Sequence, residues 1–144
     1  MYFTVIMPGE KHDLHHVAKK AIITEAAAES GLLVVRFPPS FPYQTFDLGA
    51  ALNQLTSAEF VLADLTGERP SCYYELGLAE AMGKKVSLLA RVGTPIHQTA
   101  ARSSVVFFND MQDFGTTVRD LVLRNERQEV GAGARRSKSR TVAK

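Results

Sequence analysis

Apolar segments of strand length alternate along the chain with stretches of helical periodicity. The five strand-like segments span residues 2–7, 32–37, 60–64, 85–90 and 104–108. The predicted helices, in which apolar residues recur every three or four positions, span about 13–30, 45–56, 71–83 and 111–126. Strands that alternate with helices at this spacing predict a parallel sheet with helices on both faces.

Right-handed crossovers between parallel strands favour one architecture for this pattern. It is a single α/β, flavodoxin-like doubly wound sandwich of about five strands in the order 2-1-3-4-5. In such folds ligands bind beyond the carboxyl ends of the strands, at the switch between strands one and three. The residues expected at that switch are Met7, Pro8 and Gly9 after the first strand, and Asp64, Thr66 and Gly67 after the third.

Local signals refine three of these elements. The first helix is expected to begin with Asp13 as its N-cap and to stop at Gly31. Its predicted buried stripe contains Val17, Ala21, Ile22 and Ala28, and that of the second helix Phe46, Leu48, Leu52 and Leu55. The second strand is nearly all apolar, as expected of a strand covered on both faces. A stiff proline loop is predicted over residues 38–42.

Composition narrows the class of protein without naming a function. With 45% hydrophobic and 22% charged residues, the 144-residue chain is most simply one soluble domain. It contains no apolar run of membrane-spanning length and no signal-peptide pattern at its N-terminus. The single Cys72 excludes an internal disulfide bond, so we expect a reducing, cytoplasmic environment.

The charge is unevenly distributed. Residues 131–144 carry five basic residues and no acid, which leaves 12 basic and 15 acidic residues in the rest of the chain. We therefore predict a folded domain over residues 1–130 and a disordered basic tail over 131–144. The folded part is mildly acidic, so no nucleic-acid-binding face is expected on it.

Two carboxylates flank the turn between the third strand and the third helix. Asp64 ends the strand, where its simplest role is to bond backbone amides two residues on. Glu75 shares a helix face with Leu78, Ala79 and Met82, so it should face the strand ends rather than open water. The nearby helix start should help to keep Glu75 ionised, as a carboxylate nucleophile requires.

The same helix carries two other unusual residues. Gly77 costs about 1 kcal/mol relative to alanine in mid-helix, which suggests close packing at that point. Cys72 follows the helix start, where a thiol pKa can be lowered. Without a recognisable His or Asn partner in the sequence, a cysteine hydrolase is not favoured.

The histidines do not form a metal-binding pattern. His12, His15 and His16 share a helix face, but no cysteine or HExxH-type spacing accompanies them, and His97 is isolated in the sequence. We expect a solvated helix start and no metal. The chain also lacks the glycines of a Rossmann dinucleotide fingerprint or a P-loop.

Two motifs resemble a known family. The sequence ADLTG at 63–67, YYELGLA at 73–79 and the flanking residues Met7-Pro8 and 83–86 resemble bacterial proteins of the nucleoside 2-deoxyribosyltransferase-like and TIR-like group. The similarity extends over roughly residues 2–124 and is sharpest at 58–90. It implies cleavage or transfer of an N-glycosidic bond in a nucleoside, a nucleotide or NAD. If NAD is used, it is a substrate, and no cofactor is expected.

The resemblance also assigns roles to residues. It makes Glu75 the nucleophile that attacks the anomeric carbon and Asp64 the acid that orients the substrate or handles a proton. Tyr73 or Tyr74 would contact the base or the sugar, although both cannot face inward, and core packing explains either equally well. Asn109, after the fifth strand, is a candidate sugar contact. Since related sites are often completed by a neighbouring chain, we expect a homo-oligomer.

The substrate and the reaction remain open at this stage. Ser71 replaces the family's usual asparagine, and residues 93–97 replace its usual loop after the fourth strand. A TIR-type NAD hydrolase and a non-catalytic nucleotide-binding signalling module are the alternatives. A phosphoacceptor receiver domain is rejected, because the acids and the lysine that it requires are missing. A flavodoxin-type FMN site is weakly supported, because no Ser/Thr-rich phosphate loop follows the first strand.

Overall fold

The sheet has the predicted topology. The computed structural model describes residues 1–38, 46–97 and 102–141, with side chains to Arg135. Its five parallel strands lie in the order β2-β1-β3-β4-β5, which confirms the predicted fold class and strand order. The strands are β1 (Tyr2–Ile6), β2 (Val34–Arg36), β3 (Val61–Asp64), β4 (Val86–Arg91) and β5 (Val106–Phe108).

Helices cover both faces of this sheet. They are α1 (His16–Ser30), α2 (Leu48–Ser57), α3 (Pro70–Ala81) and α4 (Met111–Thr141), with 3-10 turns at Thr66–Glu68 and Arg102–Ser104. One core layer contains residues of α1 and α4 and includes Phe3, Phe60 and Phe114. The other contains residues of α2 and α3 and includes Val61, Leu65 and Leu76. The sheet thus separates two apolar layers, and α3 lies in the second.

The buried face of α1 differs from the prediction. Its buried residues are Lys19, Ile23, Ala26 and Ala27. Of the predicted stripe, Val17, Ala21 and Ala28 are exposed and Ile22 is half-buried. The predicted stripe is wrong because ion pairs draw Lys19 inward, which sets the rotation of the helix. Asp13 does not cap α1, which begins at His16.

Two other elements are less buried than expected. β2 is an edge strand with Val34 61% exposed, so the expected cover on both faces is wrong. In α2 only Leu55 of the predicted stripe is buried, while Phe46 and Leu48 are exposed. Asp47 caps α2 by accepting a hydrogen bond from the Ala50 amide, so this helix begins later than predicted. The predicted proline loop and the first predicted residue of the helix, Thr45, lie largely outside the described residues.

The last helix is longer than its apolar periodicity indicated. α4 continues past residue 126 to Thr141, through residues that the sequence predicted to be a disordered tail. Alanine and arginine favour helix, and extending a helix already packed on the sheet needs no new nucleation. Whether residues 131–144 form a unit separate from the 1–130 domain stays a prediction. Within the described part of the chain, no helix combines the length and the apolarity needed to cross a bilayer.

Candidate functional site

The neighbouring ends of β1 and β3 bring the two predicted loops together. β1 lies between β2 and β3, so Met7, Pro8 and Gly9 follow the strand next to Asp64. Pro8 is buried, and its carbonyl oxygen accepts a hydrogen bond from His16 Nδ1 at 2.9 Å. Gly9 is exposed.

Asp64 is fully engaged by protein groups. Its side chain is buried, and its Oδ2 lies 2.7 Å from Lys19 Nζ. Its Oδ1 accepts hydrogen bonds from the amide and the hydroxyl of Thr66, at 3.0 and 2.6 Å. The amide bond two residues on is the turn role predicted for Asp64. Thr66 Oγ1 in turn accepts from the Arg91 amide, which ties this turn to the end of β4.

Lys19 is the residue at this edge that the sequence analysis missed. It is 1% exposed, and its Nζ lies 2.5 Å from Asp13 Oδ2 as well as 2.7 Å from Asp64. The rings of Phe108 and Phe114 lie 5.3 and 5.5 Å from the ammonium. Burial opposes ionisation of Asp13, but hydrogen bonds from Lys19 and a backbone amide lower its pKa below the usual value. A buried ion-paired cluster therefore links α1 to the end of β3.

Glu75 contrasts with Asp64. It is half-buried in the second turn of α3 and has no hydrogen-bond or ion-pair partner among the described residues. Burial raises the pKa of Glu75 to about 7. The expectation that the helix start keeps it ionised is wrong, because the helix dipole acts within the first turn and Glu75 lies beyond it. Its predicted inward face is confirmed, since Ala79 is buried and Leu78 and Met82 are half-buried.

Cys72 is buried in the first turn of α3. Burial, and then the negative charges of Glu75 and Asp64, raise the pKa of the Cys72 thiol to about 12, while Arg69 opposes the rise. The predicted lowering of this pKa is therefore wrong.

A reactivity measurement checks this environment. At pH 8 only about one thiol in ten thousand would be ionised with a pKa of about 12, so Cys72 should react with a disulfide reagent orders of magnitude more slowly in the folded protein than in guanidinium. The unfolded protein serves as the control. Equal rates in the two states would contradict the buried environment of Cys72.

A second cluster surrounds Glu68. Gly67 and Glu68 both have positive φ, 75° and 48°, which costs about 1–3 kcal/mol at the non-glycine residue. Glu68 Oε1 accepts hydrogen bonds from Tyr73 Oη and the His97 amide, each at 2.9 Å, and its Oε2 lies 3.0 Å from His97 Nδ1. Burial opposes ionisation, but these hydrogen bonds lower the pKa of Glu68. His97, which is isolated from the other histidines in the sequence, is bound by Glu68, 29 residues earlier.

An open cleft accompanies this cluster. It has a volume of about 490 Å³ and is lined by Glu68, Pro70, Tyr73 and His97. Residues two apart on a helix project about 200° apart, so Tyr73 and Glu75 lie on different flanks of α3. The cleft and the nucleophile candidate therefore flank the same helix start.

Among the solved structures that resemble this chain are two bacterial enzymes. The 2-deoxyribosyltransferase of Bacillus psychrosaccharolyticus is 20% identical with a TM-score of 0.57, and the similarity covers 82% of this chain and 96% of that one. The CMP N-glycosidase of Clostridium botulinum is 18% identical with a TM-score of 0.58, over 82% and 98% of the two chains. The chain has the 2-deoxyribosyltransferase-like fold. No protein-family model and no curated protein sequence matches it.

Within the 2-deoxyribosyltransferase-like fold, α3 carries three further candidates. Tyr73 is half-buried, whereas Tyr74 is 53% exposed and packs edge to face against Phe46. The prediction that only one of the two tyrosines faces inward is confirmed. Gly77 is exposed, and a Cβ there would meet nothing within 4 Å, so the predicted close packing is wrong.

Asn109 is not brought to the other candidates. It follows β5, which β4 separates from β3. Its amide and side chain donate to Asp113 Oδ2 at 2.8 and 3.4 Å, so it stabilises the start of α4. Among the described residues, no three His, Cys, Asp or Glu side chains are placed to hold a metal ion.

Proposed function

We propose that the protein cleaves or transfers the N-glycosidic bond of a nucleoside or nucleotide, with Glu75 as the nucleophile. The observation that carries this proposal is a half-buried carboxylate without a partner among the described residues, in the second turn of α3, the helix that leaves the switch point between β1 and β3. Ligands bind at this switch point in doubly wound sheets. The two enzymes with the same fold, named as a 2-deoxyribosyltransferase and a CMP N-glycosidase, support this class of reaction.

The chemistry balances in two steps. A Glu75 oxygen attacks the anomeric carbon, and the bond from carbon to the base nitrogen breaks. The electron pair of that bond goes to the base, which takes up a proton from solvent, and the sugar is held as an ester on Glu75. Water or a second base then attacks the same carbon and releases a proton to solvent, while the ester bond breaks and the carboxylate is regenerated. The negative carboxylate stabilises the oxocarbenium-like transition states of both steps.

In our proposal Asp64 supports the reaction by fixing the turn that follows β3. Because its oxygens bind Lys19 and Thr66, we assign it to holding the turn of Thr66 and Gly67 rather than to moving a proton. Met7, Pro8 and Gly9 follow β1 next to Asp64, and Tyr73 lies on the other flank of α3, in the cleft that Glu68 and His97 also line. Sugar binding by Asn109 and assembly into a homo-oligomer stay predictions.

A substrate panel tests the reaction. The protein is incubated separately with NAD, deoxynucleosides and nucleoside 5′-monophosphates, and released base is measured by chromatography. Glu75→Gln should lower base release by about a thousandfold or more, because it removes the covalent nucleophile. Glu80→Gln, the same change at an exposed position of α3, is the matched control and should leave the rate unchanged.

The panel also separates the alternatives. Release from NAD alone would favour a TIR-type hydrolase, and faster release when a second base is added would identify a transferase. Wild-type base release by Glu75→Gln would refute the nucleophile. If the panel compounds bind without any base release, the non-catalytic nucleotide-binding module is the better account.

A further inference from the structure

Arg69 has an unusual environment for a cation. It is half-buried and immediately precedes α3. Its Nη2 lies 3.2 Å from His12 Nε2, whereas its Nε is buried and has no hydrogen-bond partner among the described residues. None of the described carboxylates pairs with it. A buried donor without a partner is costly, so an acceptor from outside the chain would be bound favourably here.

The carboxylates close to Arg69 in the sequence either bind other residues or are assigned to the proposed reaction. Glu68, its neighbour in sequence, accepts from Tyr73 and His97. Asp64 is ion-paired with Lys19, which it shares with Asp13. Arg69 is the N-cap residue of α3 and Glu75 lies in the second turn of the same helix, so the cation and the proposed nucleophile are six positions apart on one element.

We propose that Arg69, together with His12, binds the 5′-phosphate of the substrate. This rests on the proposed function and narrows its substrate class to 5′-phosphorylated ribosides, in preference to free nucleosides. A guanidinium presents its N–H groups as a planar fork that matches two phosphate oxygens, which a single ammonium does not. His12 accepts from Arg69 through Nε2, which leaves its Nδ1–H for a further phosphate oxygen.

The charges around Arg69 and His12 are mixed. Asp13 and Asp64 share the single ammonium of Lys19, which leaves one negative charge in that buried cluster. Arg69 opposes it from the α3 side, and the exposed Lys11 adjoins His12 in the β1–α1 loop. A phosphate on Arg69 would supply the acceptor that the Arg69 Nε lacks. The negative Glu75 would then be directed at the sugar rather than at the guanidinium.

Binding of ribose 5-phosphate, measured by calorimetry against ribose, tests the assignment without requiring turnover. We expect ribose 5-phosphate to bind and ribose to bind at least tenfold more weakly, because only the former has the charged acceptor. Arg69→Met should weaken ribose 5-phosphate binding about tenfold to a hundredfold. Arg135→Met, an exposed change on α4, is the control.

Two milder variants keep the test decisive if Arg69→Met fails to fold. Arg69→Lys keeps the charge but loses the fork, and His12→Gln removes the second ligand, so each should weaken binding by several-fold. Equal affinity for ribose and ribose 5-phosphate, or wild-type affinity in all the Arg69 and His12 variants that fold, would overturn the assignment.

The base-release panel distinguishes this failure from failure of the proposed reaction. If deoxynucleosides and nucleoside 5′-monophosphates are cleaved equally well, and Arg69→Met changes neither, the phosphate assignment is wrong and the reaction stands. If ribose 5-phosphate binds through Arg69 but no base is released from any compound, the phosphate assignment stands and the reaction is wrong.

Discussion

Lys19→Met should lower the free energy of unfolding at pH 7 by about 3–5 kcal/mol, because it leaves buried acids without their cation. Lys19 is 1% exposed and is the ion-pair partner of both Asp13 and Asp64. Methionine keeps a long apolar side chain beside the rings of Phe108 and Phe114, so the loss reports the charge rather than a cavity. Urea denaturation measures this loss of unfolding free energy, and the dependence of that free energy on urea concentration should be the same in both proteins.

Stability measurements at low pH and the matched substitution Lys11→Met provide the controls. The lowered pKa of Asp13 means that its stabilising contribution is present above its ordinary pKa of 3.8 and is lost as the pH falls through the folded-state value. The gap between wild type and Lys19→Met should therefore narrow in acid. Lys11→Met, at an exposed position, should change stability by less than about 0.5 kcal/mol. A loss below about 1 kcal/mol in Lys19→Met would contradict the ion-paired cluster.

Glu75→Gln should make the protein more stable at pH 8 while it removes activity. The folded-state pKa of Glu75 is raised from 4.5 to about 7, so the folded protein holds this proton more tightly than the unfolded chain between those values. Wild-type stability then falls as the pH rises through this window, and Gln, which stays neutral, avoids the loss. The gain above pH 7 should be about 2–3 kcal/mol, and it should disappear near pH 4.

Two pH series measure this effect. Urea denaturation of wild type and Glu75→Gln at pH 4, 6 and 8 follows the stability, with Glu80→Gln as the matched control. Base release by the wild type should rise with pH through about 7 and then level, because only the ionised carboxylate attacks carbon. Equal stabilities of Glu75→Gln and wild type at all three pH values would show that Glu75 is not held in a desolvated environment.

Sequence patterns predict the sheet order and part of the candidate site. Alternating strands and helices predict the sheet order, because right-handed crossovers leave few topologies. Helix phase turns Glu75 inward, and the backbone chemistry of aspartate predicts the bond from Asp64 to Thr66. The first inference needs only the order of the elements, and the other two need only residues within one helix or turn.

What the sequence did not predict depends on pairs distant in the chain. Lys19 meets Asp64 across 45 positions, and a lone lysine in a helix is ordinarily placed in solvent. His97 and Glu68 meet across 29 positions, through a loop without a recognisable motif. The pKa of Glu75 follows from its burial in the assembled fold, which the position in its helix does not give.

The most direct test of the central claim is to trap the sugar on the protein. Wild-type protein is mixed with each 5′-monophosphate and nucleoside of the panel, quenched in acid within the first turnovers, and analysed by mass spectrometry. We predict a glycosyl adduct on the peptide that contains Glu75 and none in Glu75→Gln. Base release without any adduct at Glu75, or an adduct that persists in Glu75→Gln, would contradict it.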